Sequence, residues 1–306
     1  MRKFNLMVNE VGILLTGGSG FFGCHIQNLF LNSNYHTLGQ KNCNYNLNLS
    51  IDVPQFTCKY RTIIHAAGKA HSMPRNDKEI KAFFDVNVTG TKNLLAGIEN
   101  SGYFPNSFIF ISTVAVYGKE IGENISEDSP LLAKDPYGLS KIQAEQVVLD
   151  WCKKNNVTCT ILRLPLLVGE NPPGNLGAMI RAIKKGYYFN IGGGLARKSM
   201  VLAEDVANII FKASSIGGIY NLTDGNHPSF YELSTALAMK NGKSKPFNMS
   251  YSFAKGISLI GDVVGSKFPL NSNKLKKITL DLTFDDSRAR EVLGWKPRSV
   301  IDWFTK

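Results

Sequence analysis

Tyr137 and Lys141 stand four positions apart in the run Asp135-Pro136-Tyr137-Gly138-Leu139-Ser140-Lys141. Asp and Pro ahead of a periodic apolar stretch mark a helix start. The phenol and the ammonium therefore share one helix face and can meet around a single reacting group. A nearby ammonium favours the ionised phenol, so a side chain with an ordinary pKa of about 10 is expected to move toward acid/base work near neutrality. Surface helices carry such pairs by accident, so the surrounding chain has to supply the chemistry.

Thr16-Gly17-Gly18-Ser19-Gly20-Phe21-Phe22-Gly23 follows an apolar run and opens a helical pattern. Gly17, Gly20 and Gly23 fit a tight turn, a close backbone approach to a pyrophosphate, and close helix–sheet packing. Phe21 and Phe22 begin a helix whose unpaired N–H groups suit phosphate oxygens. The acidic residue expected about twenty positions later, which grips the ribose 2′-hydroxyl of NAD, is missing. Gly39, Gln40 and Lys41 stand there, which permits NADP as well as NAD. Ser112 and Thr113 end the run Phe108-Ile109-Phe110-Ile111, a pattern of buried parallel strand. Ligands of open parallel sheets sit beyond the carboxyl ends of strands, so these hydroxyls are candidates to hold the oxygen that Tyr137 serves.

The elements needed to position these groups are legible in the periodicity. Strands are expected at Val11–Thr16, Tyr35–Leu38, Thr62–Ala66, Ser107–Ser112 and Cys159–Leu164, and helices at Phe22–Leu31, Ile80–Glu99 and Tyr137–Lys154. This alternation predicts an α/β fold, a Rossmann-like doubly wound parallel sheet. After about residue 170 the pattern loosens. It gives helices at Leu176–Lys185, at Glu204–Ala213, from near Ser229 and over Asp285–Gly294, with a strand at Gly218–Leu222. Residues 171–306 are read as a small C-terminal substrate-binding domain, with about 196–225 returning to the sheet of the first 170 residues.

The 306 residues carry a formal charge of +11, which suits anionic partners. The basic residues read as spread along the chain, with no basic block and interleaved aromatics, so nucleic acid is not expected and a solvated surface is. Five cysteines form no Cys-x-x-Cys pair and no zinc-spaced Cys/His cluster. No metal site is expected, and the thiols read as reduced and cytoplasmic. The segment from Phe247 to Leu270 is apolar but broken by Lys255, Gly256, Gly261, Asp262 and Lys267. It is no membrane span, and an amphipathic surface helix is the alternative. His65 reads as packing, His71 as a candidate substrate contact, and Glu123, Glu127 and Asp128 as a solvated acidic loop.

The glycine loop, His65-Ala66-Ala67-Gly68, Asn87-Val88-x-Gly90-Thr91-x-Asn93-Leu94, Ser112-Thr113, Pro136-Tyr137-x-x-Ser140-Lys141, Asp285-x-Ser287-Arg288 and Leu293-Gly294-Trp295 together resemble the extended short-chain dehydrogenase/reductases that act on nucleotide sugars. The resemblance implies that Tyr137 and Lys141 do the proton work while Thr113, with Ser112, holds the sugar oxygen. It also implies that Ala66, Ala67, Gly68 and Asn87 line an NAD or NADP site. Asn175, Leu176, Arg197 and Lys198 are implied as contacts to a UDP-sugar, and a homodimer through the Tyr137 helix as the assembly. Val114 and Ala115 stand where 4,6-dehydratases carry an acidic pair, so dehydration is not expected. Arg163-Leu164-Pro165-Leu166 departs from the Arg-Tyr-Phe-Asn of many 4-epimerases. Ile64–Met73, Arg163–Gly169 and Lys276–Arg288 resemble a branch that includes UDP-4-keto-6-deoxy-N-acetylhexosamine 4-reductases alongside proteins labelled only as epimerases. The missing ribose carboxylate and the lost epimerase signature tip the expectation slightly toward a 4-reductase over a redox-neutral 4-epimerase. A non-catalytic NADP sensor is the third reading.

Overall fold

The computed structural model describes residues 10–30, 34–70, 74–264 and 270–306. In chain order the first half runs β1 (Glu10–Thr16), α1 (Phe21–Leu29), β2 (Tyr35–Gly39), β3 (Tyr45–Asn46), β4 (Lys59–His65), α2 (Asp77–Phe84), a π-helical turn (Asp85–Thr89), α3 (Gly90–Ser101), β5 (Ser107–Thr113), β6 (Gly122–Ile125), α4 (Pro136–Lys154) and β7 (Thr158–Leu164). The second half runs β8 (Leu166–Val168), α5 (Gly174–Lys184), β9 (Phe189–Ile191), β10 (Met200–Leu202), α6 (Ala203–Ile216), β11 (Gly218–Asn221), α7 (Phe230–Lys240), β12 (Phe247–Met249), α8 (Tyr251–Val264), α9 (Ser272–Thr279), β13 (Leu282–Phe284), α10 (Ser287–Leu293) and α11 (Val300–Thr305).

Seven of these strands form one sheet in the order β11-β7-β5-β4-β1-β2-β3, with every pairing parallel. This is the doubly wound Rossmann-like architecture. Side chains alternate across each strand, and the two sets meet different helices. Ile13, Leu15, Ile64, Ile109 and Leu162 pack with α1, α6 and α10, while Leu14, Ile63, Phe108, Phe110 and Ile161 pack with α3 and α4. The order reverses at β1, and in register Thr16 lies beside His65 at the carboxyl ends of β1 and β4, the place where such sheets bind ligands.

Five helix starts are set by short polar caps that satisfy free N–H groups, Ser299 capping α11 among them. Asn76, Asp135 and Asn271 cap α2, α4 and α9, and Ser229 with Glu232 forms a capping box on α7. The helix expected over Ile80–Glu99 is interrupted: Asp85–Thr89 widens into a π turn that carries Asn87. A separate core under the second half gathers Leu176, Met179 and Ile183 of α5 with Leu233 and Leu237 of α7 and Phe304 of α11.

One polar network crosses the first core. Arg163 on β7 grips Glu145 on α4 in a two-pronged pair, NH2 to Oε2 at 2.8 Å and Nε to Oε1 at 3.2 Å. Both side chains are almost wholly buried. The Arg163 guanidinium also donates to the Tyr117 hydroxyl, which donates to Asn221 on β11. Glu127 corrects the solvated-loop reading: it is buried and accepts the Asn221 backbone N–H at 2.8 Å. Glu123 and Asp128 are exposed as expected, Asp128 pairing with Arg288. Removing one member of a buried ion pair leaves an uncompensated charge. Arg163→Met is therefore expected to lower the unfolding free energy by about 3–5 kcal/mol in urea titrations, and adding Glu145→Gln should restore most of the loss.

Candidate active site

The glycine loop is shaped by contacts that exclude a β-carbon. Gly17 adopts φ +73°, and a Cβ there would lie 2.5 Å from the Ala67 nitrogen. A Cβ on Gly23 would lie 2.2 Å from the Gly17 carbonyl oxygen. These two glycines let α1 and the Ala66–Gly68 loop close onto the turn. Gly20 differs: it has φ −74° as the cap of α1, and its Cβ would meet only the Gly17 oxygen, at 3.2 Å. Its open side faces outward at the helix start, beside the first-turn N–H groups of Phe21 and Phe22. Phe22 is buried in the core, so its backbone is what it can offer a ligand.

His65 is fully buried, and burial pushes its pKa down to about 3. One assignment satisfies every partner. Nε2–H donates to Thr91 Oγ1 (2.9 Å), Thr91 donates to the Asn87 carbonyl (2.6 Å), Thr16 donates to Nδ1 (2.6 Å), and the Ala67 N–H donates to Thr16 Oγ1 (3.2 Å). A neutral imidazole thus bolts the ends of β1 and β4 to the Asn87 turn, in agreement with its packing reading. Asn87 clamps the loop after β4, accepting from the Lys69 N–H (2.8 Å) and donating to the Lys69 carbonyl (3.1 Å). It also donates to Ser140 Oγ (2.9 Å), which donates to the Tyr137 carbonyl (2.8 Å). The π turn frees Asn87 for this reach, as such bulges do at functional positions.

Tyr137, Lys141 and Thr113 come together at the carboxyl end of β5. Thr113 beside the phenol draws its pKa down, but burial outweighs that pull and Asp135 adds to the upward push. Tyr137 therefore sits above the ordinary tyrosine range, contrary to the expected lowering by Lys141. The Lys141 ammonium is instead committed to the Ile111 carbonyl at 2.6 Å and rests 3.9 Å from the Phe110 ring centroid. Burial lowers its pKa to about 7, partly opposed by Glu145 one turn on. A Cβ on Gly68 would lie 3.2 Å from Asn87 Oδ1 and 4.0 Å from Lys141 Nζ, so the loop, the clamp and the ammonium adjoin. A shifted phenol and a shifted ammonium on one helix face, at the carboxyl end of a central strand, make this the candidate site.

Ser112 is not part of this group. Strand alternation turns its hydroxyl away from the Thr113 side and toward α4, where it donates to the buried Glu145 carboxylate one turn beyond Lys141. The catalytic expectation for Ser112 is corrected to a structural one. Asn175 is exposed in the first turn of α5, whereas the Leu176 side chain is buried in the second core, leaving only its backbone to meet a ligand. The Arg197 guanidinium donates to the carbonyls of His227 and Asn226 at 3.0 Å, and Lys198 Nζ donates to the Leu280 carbonyl at 2.9 Å. Lys41 is exposed, and His71 lies outside the described residues. The sequence reading missed Glu145 and Ser140 as supports. Their signal was present, since they stand one turn after and one position before Lys141.

A cavity of about 480 Å³ elsewhere, lined by residues including Asp224, His227, Asp286 and Arg290, includes none of the expected site residues. Its carboxylates are already engaged, Asp286 by Arg290 and Thr223 and Asp224 by three backbone N–H groups.

A parallel sheet with a glycine turn at its switch point and a Tyr/Lys/Thr group at the neighbouring strand end defines the Rossmann-type short-chain dehydrogenase/reductase class. Residues 13–222 match the model of the NAD dependent epimerase/dehydratase family, and the chain belongs to that family. Among curated relatives, it is 27% identical over 309 residues to UDP-glucose 4-epimerase of Vibrio cholerae, covering 94% of this chain and 92% of the relative. It is 29% identical over 218 residues to N-acetyl-alpha-D-glucosaminyl-diphospho-ditrans,octacis-undecaprenol 4-epimerase of Escherichia coli O157:H7, covering 67% of this chain and 65% of that one. The fold matches UDP-glucose 4-epimerase of Thermotoga maritima with a TM-score of 0.73 at 19% identity, over 96% of both chains. UDP-N-acetylglucosamine 4-epimerase of Bacillus cereus matches with a TM-score of 0.71 at 19% identity, again over 96% of both.

Two predictions follow from the geometry of the turn and of Lys141. Gly23→Ala is expected to destabilise the fold by about 1–3 kcal/mol, because backbone must shift, while Gly20→Ala leaves the melting temperature nearly unchanged. Equal melting shifts for the two variants would contradict this account of the turn. For Lys141 the folded pKa of about 7 lies below the free value of 10.5, so between them the unfolded chain binds more protons. Stability of the native protein then rises from pH 7 to about pH 9.5, below the tyrosine range. Lys141→Met should flatten that slope and stabilise the protein at pH 7 by roughly 2–4 kcal/mol, measured by urea unfolding across the window.

Proposed function

We propose that the protein is a 4-epimerase of a hexose carried on a diphosphate, with a UDP-sugar as the soluble substrate. The observation that carries this reading is the meeting of Thr113, Tyr137 and Lys141 beside the Gly17–Gly23 turn. The turn suits a dinucleotide: Gly17 and Gly23 have no room for a side chain, while Gly20 leaves its outer side open at a helix N-terminus. Gly17, Gly20, Phe21, Phe22 and Gly23 would hold the cofactor diphosphate. Ala66, Ala67, Gly68 and Asn87 would line the nicotinamide half, and Tyr137 and Lys141 its ribose. The exposed Lys41 and the absent carboxylate beside it fit either NAD or NADP. When bound, the nicotinamide supplies a hydride acceptor and donor.

The chain's own residues then handle one proton. As the phenolate, Tyr137 would take it from the C4 hydroxyl as the carbonyl forms, and as the phenol so formed would give it back as the carbonyl is reduced. Thr113 orients the shared oxygen. Lys141, fixed on the Ile111 carbonyl, would hold the cofactor ribose and lend it positive charge. A phenol pushed above its ordinary range holds its proton at neutral pH, which suits the donating half of the cycle. Asn175, the Leu176 backbone, Arg197 and Lys198 would bind the substrate diphosphate and its carrier, with the elements after residue 170 serving as the substrate cap.

The relatives named above are 4-epimerases whose names describe a hexose joined to a diphosphate. Net 4-keto reduction is the second reading, favoured by the missing ribose carboxylate and by Arg163-Leu164-Pro165-Leu166. Incubation with a UDP-hexose and oxidised cofactor separates the two. Epimer formation without net change in nicotinamide absorbance supports epimerisation, and stoichiometric consumption of reduced cofactor by a 4-keto sugar nucleotide supports the reductase. Because proton transfer of this kind contributes about 10²–10⁴-fold, Tyr137→Phe should lose turnover by that factor while keeping cofactor affinity. Turnover retained in Tyr137→Phe removes the phenol from the mechanism.

A further inference from the structure

We propose that helix α8 docks the protein onto an anionic lipid bilayer, lying flat in the membrane surface. A helix on a globular protein normally buries its large apolar residues and turns polar ones to water. In α8 this order is reversed. The buried positions hold Ala254, Ser258 and Gly261. The large side chains face outward: Phe253 is 63% exposed, Leu259 56%, Ile260 57%, Val263 88% and Val264 60%. At 100° per residue, these five share one continuous arc with Ser252 and Gly256, opposite the buried small residues. The apolar surface continues past the helix start. Phe247 on β12 and Phe189 on β9 are register partners and both exposed, and exposed Tyr251 packs at Gly192.

Charge selects the occupant. Residues 171–203 and 233–280 carry thirteen Lys and Arg and one acid, whereas the rest of the chain carries 22 basic and 23 acidic residues. The basic residues are spread along the chain as read, but these segments lack acids to balance them, so the excess of +11 is carried by the part of the chain that bears α8. Exposed Lys184, Lys185, Lys243, Lys245 and Lys255 are on or near the elements that carry the exposed apolar residues. A second copy would set one cationic field against another, whereas anionic headgroups neutralise it while the apolar arc enters the acyl boundary. Aromatic rings at the rim suit the headgroup level. Docking is peripheral, since no described helix is long and apolar enough to cross a membrane. A flat α8 would also hold the cap beside lipid-carried sugar diphosphates, a consequence that alone rests on the proposed function.

The test is co-sedimentation of the full chain with phosphatidylcholine vesicles, with and without phosphatidylglycerol. Binding is expected to the anionic vesicles and to fall with salt. Ile260→Asp and Val263→Asp should each weaken it at least tenfold, and Lys243→Gln with Lys245→Gln and Lys255→Gln should weaken it without touching the apolar face. Melting curves unchanged from the native protein show that these variants fold, and turnover of a soluble UDP-sugar without vesicles is read separately, so failure of the proposed chemistry is distinguishable from failure to dock. No binding to anionic vesicles, or equal binding by Ile260→Asp, overturns the proposal. So does a dimer in sedimentation velocity that Ile260→Asp converts to a monomer, which would assign the face to a second copy.

Discussion

The placement of the Lys141 ammonium inside the protein is the constraint on which the site depends. An ammonium out of water loses hydration that one carbonyl and one ring face replace only in part, and its lowered pKa is the measure of that shortfall. The fold tolerates the loss because α4 is pinned at several independent points. Asp135 caps its first turn, Ser140 receives Asn87, and Glu145 is locked to Arg163. Without them the lysine could swing to water, and the phenol one turn earlier would move with it.

Glu145 has two duties in that arrangement. Its carboxylate, four residues beyond Lys141, biases the ammonium toward its charged form, and its two oxygens also take Arg163 and Ser112. Through Arg163 and Tyr117 the same network reaches Asn221 on the last strand of the sheet, whose side chain binds the carbonyls of Ile125 and Asp285. The end of α10 that follows Asp285 is therefore tied to α4, the helix of Tyr137 and Lys141, by this one polar network. Such a network specifies one arrangement of the chain, because every member is costly if its partner is displaced.

Much of this was legible in the sequence because it is local. The five long strands of the sheet, the glycine turn, the start of α4 and the glycine stop at Gly294 each declare themselves within a few residues. Thr113, Tyr137 and Lys141 were legible for the same reason. What stayed hidden depends on who faces whom across the fold. Ser112 and Thr113 look equivalent as a pair of hydroxyls, and only the side of β5 on which each lies separates a support from a site residue. Glu127 reads as a solvated acid until Asn221, distant in sequence, offers it a backbone N–H. The break in the helix before α3 was hidden too, because a π turn needs no glycine or proline to announce it. The short strand pairs of the second half carry three or four residues each, too few for periodicity to register.

Buried polarity and exposed apolarity are the informative departures from ordinary burial, and this chain keeps the first under close control. Among the described residues, Thr235 Oγ1 is the one buried side-chain oxygen or nitrogen without a hydrogen-bond partner. Even the deeply buried His65 has both ring nitrogens satisfied. Against that discipline, two places stand apart: a lysine whose ammonium is under-hydrated at the strand ends, and a helix whose large apolar residues face out from a cationic surface. Neither improves folding. A lysine at position 141 costs stability that methionine would not, and α8 would fold as well with serine or glutamate on its outer arc. Features that work against the free chain persist when something outside it meets them, which for Lys141 would be the cofactor and substrate of the proposed reaction and for α8 the apolar, anionic surface proposed for it.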